Sequence, residues 1–199
     1  MLIGQGQGSA LADIVSRFRK DRSGAAAVEF VLVAPLIILV YLGAVDLSEA
    51  IETNKNVSRA AGIIANIVAA QQYDVTRDRL DDIVQIGEAT LFPYDRDKPG
   101  IKITAIKVDP AQQNNPPATI DWSYASGKLS KDEAGAMIDI PDSFRTAGRF
   151  LIKVEVALAY VPITTWGMGN IVSVNGGLPM AETYYFEPIN STVIACTNC

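Results

Sequence analysis

The sequence contains no histidine in 199 residues. Without an imidazole, Ser-His-Asp and Cys-His nucleophilic sites are excluded, as is any histidine-containing zinc site. Cysteine is nearly as scarce. Cys196 and Cys199 are the only two, both in the last four positions, so one chain cannot supply four thiolate ligands. Positive charge is missing where nucleic acid would need it. Residues 1–24 hold four bases (Arg17, Arg19, Lys20, Arg22) against two acids (Asp13, Asp21), a net of +2, and the remainder holds 13 bases against 20 acids, a net of −7. An acidic body without a basic patch argues against nucleic-acid binding. A basic head before an acidic body fits a membrane orientation, with the basic flank kept in the cytoplasm.

What is present is concentrated apolar character. The opening MLIGQGQG has no strand before it and no GK[ST] after it, so it reads as a flexible leader rather than a phosphate loop. Residues 11–18 suit a short amphipathic turn on the inner membrane face. From residue 25 to residue 45 the chain is apolar except for Glu29. About 20 residues at roughly 1.5 Å each cross a hydrocarbon core, so this segment is expected to span. Pro35 removes one donor and is expected to kink the helix, and Tyr41 suits the far interface. A cleaved secretory signal is the weaker alternative, because the run is too long and no clear A-x-A site follows.

The helical period continues past the span. Leu47, Ala50, Ile51, Val57, Ala61, Ile64 and Val68 fall near one stripe, with Glu49, Glu52, Asn56 and Arg59 on other sides. One helix is therefore expected over about residues 25–72, its outer half needing cover for its stripe. Thr76 is placed to cap a second helix running to about Leu91 and ended by a turn at Pro93. Strand alternation follows in IKITAI from Ile101, in TIDWSYA with Ile120, Trp122 and Tyr124 on one face, in FLIKVEVALAY, and over residues 182–187. Long turn-rich connections separate these strands. The expected fold class is α+β: a long N-terminal membrane-spanning helix continuing into an outer domain with a second helix and a small antiparallel sheet covering the helix. The expected division is a leader over 1–24, a transmembrane helix over 25–45, its continuation over 46–72, and an α+β domain over 73–199. The chain is long enough for one compact domain plus a separate element.

The puzzle is Glu29, a carboxylate where a membrane helix begins. An acid merely tolerated near the cytoplasmic end is the plain reading, although a short Glu reaches the headgroups less easily than Lys. The combination of basic leader, Gly24, small Ala25–Ala27, Glu29, Phe30, apolar run and amphipathic continuation resembles the processing region of type IV-like prepilins. The string GAAAVEFVLVAPLIILVYLGAVDLSEAI, with NVSRAAGIIA beyond it, is similar to TadE-like minor pilins and pseudopilins of the tight-adherence (Tad/Flp) pilus system, a likeness covering about residues 17–70. That resemblance implies a pilin-like arrangement cut by a prepilin peptidase between Gly24 and Ala25. Glu29 becomes the fifth residue of the mature chain, with Phe30 at the aromatic position after it. It further implies that Glu29 attracts the new Ala25 ammonium of a neighbouring subunit, that other pilins and the Tad assembly platform are partners, and that the protein supports adhesion and surface attachment. The expected location is the bacterial inner membrane, N-terminus cytoplasmic and C-terminal domain periplasmic, with incorporation into the extracellular pilus. No cofactor, metal or small-molecule substrate is expected, and no enzymatic activity. The rival reading is an uncleaved single-pass protein whose outer domain binds an envelope component or ligand.

Three smaller expectations complete the sequence reading. Cys196 and Cys199 favour a local disulfide over a crosslink to a partner or a C-x-x-C redox site, since no βαβ pattern precedes them. Asp74, Asp78, Asp81, Asp82, Asp95 and Asp97 read as a solvated helix face and turn rather than calcium ligands. Trp122, Trp166, Tyr184, Tyr185 and Phe186 read as core rather than a ligand groove, with Trp166 and Met168 in TTWGMGN as a candidate partner contact.

Overall fold

In a computed structural model, residues 15–17, 23–94, 96–163 and 177–199 are described. Most of the leader, Asp95, and the Trp166 and Met168 loop lie outside them. Two compact units are separable, Met1–Val45 and Asp46–Cys199.

Helix α1, Ser23–Ala69, runs 47 residues with Pro35 inside it and no break in the helical assignment. Its first half is rich in Val and Ile, which are modest helix formers in water. In lipid the backbone has no water to bond, so the helix is the conformation that satisfies its N–H and C=O groups, apart from the carbonyl left without a donor by Pro35. Residues 24–69 are long and apolar enough to cross a membrane, and the most apolar window, of mean hydropathy 2.5, has none of its residues buried by the protein itself. Beyond it the exposure changes. Val57, Ala60, Ala61, Ile64, Ala65, Val68 and Ala69 are buried at 3–4-residue spacing. The small alanines let neighbouring elements approach closely, and each buried Val or Ile contributes about 1.5–3 kcal/mol. The expected stripe needs one correction. Leu47 and Ile51 are 63% and 50% exposed, and the buried positions in these turns are Asp46, one residue before Leu47, and Thr53, two residues after Ile51. The helix also ends at Ala69 rather than near residue 72, because its last carbonyls find partners elsewhere. Ala69 O accepts the Ile189 N–H at 2.8 Å and Ala70 O accepts Asn190 Nδ2 at 2.8 Å.

Helix α2, Arg77–Ala89, is capped as its sequence indicates, with Thr76 Oγ1 accepting the Arg79 N–H at 3.3 Å. Leu80, Ile83, Val84 and Gly87 form its buried face. Gly87 lies against Ile64 of α1, where a Cβ would stand 2.6 Å from Ile64 Cγ1.

The sheet comprises β1 (Gly100–Val108), β2 (Ala118–Ser126), β3 (Phe150–Tyr160) and β4 (Leu178–Phe186), in the order β2-β1-β3-β4. All neighbours are antiparallel. Strand β4 begins four residues before the expected 182. Pro179, which suggests a loop, is accommodated because β4 is an edge strand whose Pro need not donate to a further neighbour. Alternation places Ile101, Ile103, Trp122, Tyr124, Ile152, Val154 and Val156 in one hydrophobic cluster with the buried faces of α1 and α2. A register shift between Ala105 and Ile106 breaks the pattern, pairing Trp122 with Ala105 but Ile120 with Ile106. Ile120 therefore does not join Trp122 and Tyr124 in the first cluster. Its partner Ile106 packs with Val108, Ala118, Ile140 and Leu151 in a second cluster.

Candidate processing and assembly site

Gly24, Ala25, Glu29 and Phe30 lie in the first two turns of α1. All four are exposed, Phe30 at 72%. A Cβ on Gly24 would meet nothing within 4 Å. Gly24 sits in the opening turn of α1, where no side chain shields the backbone. Ala25 and Glu29 are spaced i,i+4, so they share one side of the helix, and helical side chains tilt towards the N-terminus. The geometry puts a carboxylate about one turn from the Gly24–Ala25 bond. Within the described residues the protein fold covers none of it.

A second acid follows the apolar run, and its treatment is opposite. Asp46 is buried at 8% exposure. Its carboxylate accepts the Ile163 N–H at 2.9 Å and its carbonyl accepts the Tyr160 hydroxyl at 3.0 Å. One turn on, Glu49 pairs with Arg96 and accepts from Tyr160 at 3.2 Å. The Arg96 guanidinium lies 5.0 Å from the Tyr94 ring centroid and 5.7 Å from that of Tyr160, and the two rings stack at 5.5 Å. Burial, then Glu49, push the Tyr160 phenol up to about 12. Sequence reasoning assigned Glu49 to a polar side of the helix and did not find this junction. The position of Asp46, immediately after an apolar run, is the signal that could have done so.

Residues 24–65 match the family model described as TadE-like protein. The chain carries a TadE-like segment. The match begins at Gly24 and includes Ala25, Glu29 and Phe30, and extends through Asp46 and Glu49 to the α1 core positions Val57 and Ile64. No curated protein and no solved structure matches the chain.

Outside the TadE-like segment, Cys196 and Cys199 are joined in a disulfide with a Cα–Cα distance of 5.7 Å. The tail bearing it is tied down on three sides. Ile194 is buried in the main cluster and its carbonyl accepts Trp122 Nε1 at 2.7 Å. Val75 N–H donates to Ala195 O at 2.9 Å, and Val75 O accepts the Thr197 N–H at 3.1 Å. Asn198 Oδ1 accepts the Arg77 N–H at 2.7 Å, adding a second cap to α2. The cysteines thus sit on a strap across the start of α2, not at a helix start after a strand.

Of the acidic candidates, Asp81 and Asp97 have structural partners. Asp81 accepts the Tyr124 hydroxyl, and burial followed by that carboxylate raises the Tyr124 phenol to about 12. Burial alone would raise the Asp97 carboxyl, but Lys128 and the Ala159 N–H outweigh it and hold it below the usual range. Among the described residues no cluster of three or more acidic or cysteine side chains is arranged to hold a metal. Trp122 and Tyr124 belong to the core, Tyr184 and Phe186 pack against it, and Tyr185 stacks on Phe144 at the second cluster.

Proposed function

We propose that the protein is a minor pilin or pseudopilin of a Tad/Flp pilus, without catalytic activity, made with residues 1–24 in the cytoplasm and the domain after residue 45 in the periplasm. A prepilin peptidase cuts between Gly24 and Ala25. The mature chain joins the filament or its base, where it serves adhesion. The observation that carries this reading is that the TadE-like match starts at Gly24 itself, with Glu29 five residues on in an uncovered turn of a helix suited to a bilayer.

The chemistry follows from desolvation. Removing an ionised carboxylate from water costs several kcal/mol unless a counter-charge and hydrogen bonds offset it. Cleavage supplies one, the Ala25 ammonium. Glu29 of one subunit then gains most by meeting the new N-terminus of the next, which sets the register between adjacent helices. The small Ala25, Ala26 and Ala27 let peptidase and neighbours come close. The platform and other pilins are the partners this requires. Glu29→Ala is expected to leave cleavage intact while reducing recovery of the chain in sheared pili. Normal incorporation of the cleaved variant would remove Glu29 from the assembly step.

A further inference from the structure

We propose that the outer edge of β4 is a pairing surface for a second copy of this chain, the two β4 strands running antiparallel about a two-fold axis at Thr183. The surface lies wholly within the unit Asp46–Cys199 and does not depend on cleavage after Gly24. The two edges of the sheet differ. The free side of β2 is closed by its own chain: Ile120 N–H donates to Ala136 O at 2.9 Å, Gly135 N–H to Ile120 O at 2.7 Å, and Ile138 N–H to Ala118 O at 3.0 Å. Strand β4 pairs with β3 along its nine residues, from Leu178 opposite Tyr160 to Phe186 opposite Ile152. Among the described residues no strand or loop backbone bonds its other side. A strand with one neighbour turns half of its N–H and C=O groups outward, which is a template for a further strand. Its aromatic side chains are already fixed: the Tyr184 hydroxyl lies 2.9 Å from Ser58 Oγ, and Tyr185 stacks on Phe144.

The residues of β4 select the occupant and the register. A two-fold pair sets the strand against itself, so one residue faces its own equivalent and the rest follow. Centred on Glu182, two carboxylates would stand face to face, which is destabilising. Centred on Ala181, Pro179 would enter the ladder opposite Thr183 with no N–H to give. Centred on Tyr184, only residues 182–186 would overlap within the strand. Centred on Thr183, all of residues 180–186 pair: Thr183 with itself, Glu182 with Tyr184, Ala181 with Tyr185 and Met180 with Phe186. No charge meets its like, the threonines meet as a hydroxyl pair, and a thioether meets a ring. Pro179 falls at the end of the ladder opposite Glu187, whose carboxylate already meets Arg149 at 3.2 Å. The pairing joins two sheets into one and closes on two chains, so neither β4 remains an open edge.

The test uses the full chain in detergent micelles, the native cysteines being held as their disulfide so that an introduced thiol is the only free one. In the two-fold pair each Thr183 faces its equivalent, whereas the two Ala181 residues are offset by four positions, roughly 13 Å along the ladder. Both residues are exposed. Mild oxidation of T183C is therefore expected to give a disulfide dimer of twice the chain mass, in several-fold higher yield than A181C. T183K sets two ammonium groups opposite each other, and loss of the concentration-dependent dimer in light scattering, at an unchanged melting temperature, is the expected result; if T183K lowers the melting temperature, the cysteine pair decides alone. Equal crosslinking at 181 and 183 would mean contact elsewhere, as between spanning helices, and overturns the surface. So does the absence of a dimer at 183, or a dimer that survives T183K. Oxidation in membranes of the native host that joins T183C only to a different protein would give the edge another occupant, and also overturns the proposal.

Discussion

Truncating Ile64 to alanine tests whether the outer half of α1 is part of the domain's core. Ile64 is fully buried and faces Gly87, the one buried position of α2 without a side chain. The substitution removes about three methylene equivalents, or about 2.4 kcal/mol at ~0.8 per group, and the cavity left behind brings the cost into the range of about 2–5 kcal/mol. Gly87→Ala has two opposed effects in the parent. Alanine gains about 1 kcal/mol of helix propensity, but its methyl enters space held by Ile64 Cγ1 at 2.6 Å, and overpacking costs about 1–3 kcal/mol. In the Ile64→Ala background the clash is gone and the methyl fills part of the cavity. The double variant is therefore expected to be more stable than Ile64→Ala alone by about 1–2 kcal/mol, a reversal of sign. Denaturant unfolding of the full chain in detergent, followed by tryptophan fluorescence, provides the four stabilities. Additive effects, or no loss on truncating Ile64, would refute the packing of α1 against α2.

The phenols of Tyr124 and Tyr160 are both raised to about 12 from an ordinary 10. The neutral form is favoured in the folded state, so their contribution is complete below pH 10 and declines as pH rises towards 12. Melting temperatures across this window should fall, and Tyr160→Phe should make the fall shallower; an unchanged slope would contradict the Tyr160 contacts. Reducing the Cys196–Cys199 bond should cost about 2 kcal/mol or less, because the closed loop is so short and the strap keeps its hydrogen bonds, as thermal melts with and without reductant would show. Gly127 has φ +68°, and a Cβ there would strike Pro99 O. Gly127→Ala should therefore destabilise by at least about 1–2 kcal/mol, measured by denaturant titration.

The elements with strong periodicity were legible in the sequence. The apolar run of α1, the Thr76 cap and the alternation of β3 each follow from local rules, and their buried faces meet as the pattern requires. What escaped was set by long-range partners. Leu47 and Ile51 look like core positions until Tyr160 and Ile163, more than a hundred residues away, bond Asp46 and fix which side of α1 faces inward. The register shift at Ala105 and Ile106 leaves no trace in hydropathy, so Ile120 was placed with the wrong face. Leu178 and Pro179 read as loop because nothing local shows that β4 is an edge. Gly24 and Glu29 are the reverse case. They were singled out by the resemblance of the whole stretch around them to a prepilin processing region, and the fold adds only that the turn holding them is uncovered.

Intact-mass analysis of the protein extracted from membranes of its native host, with and without the prepilin peptidase, bears most directly on the processing claim. A chain beginning at Ala25 when the peptidase is present, and at Met1 when it is deleted, is the expected pair of masses. A chain that retains residues 1–24 in both would contradict it.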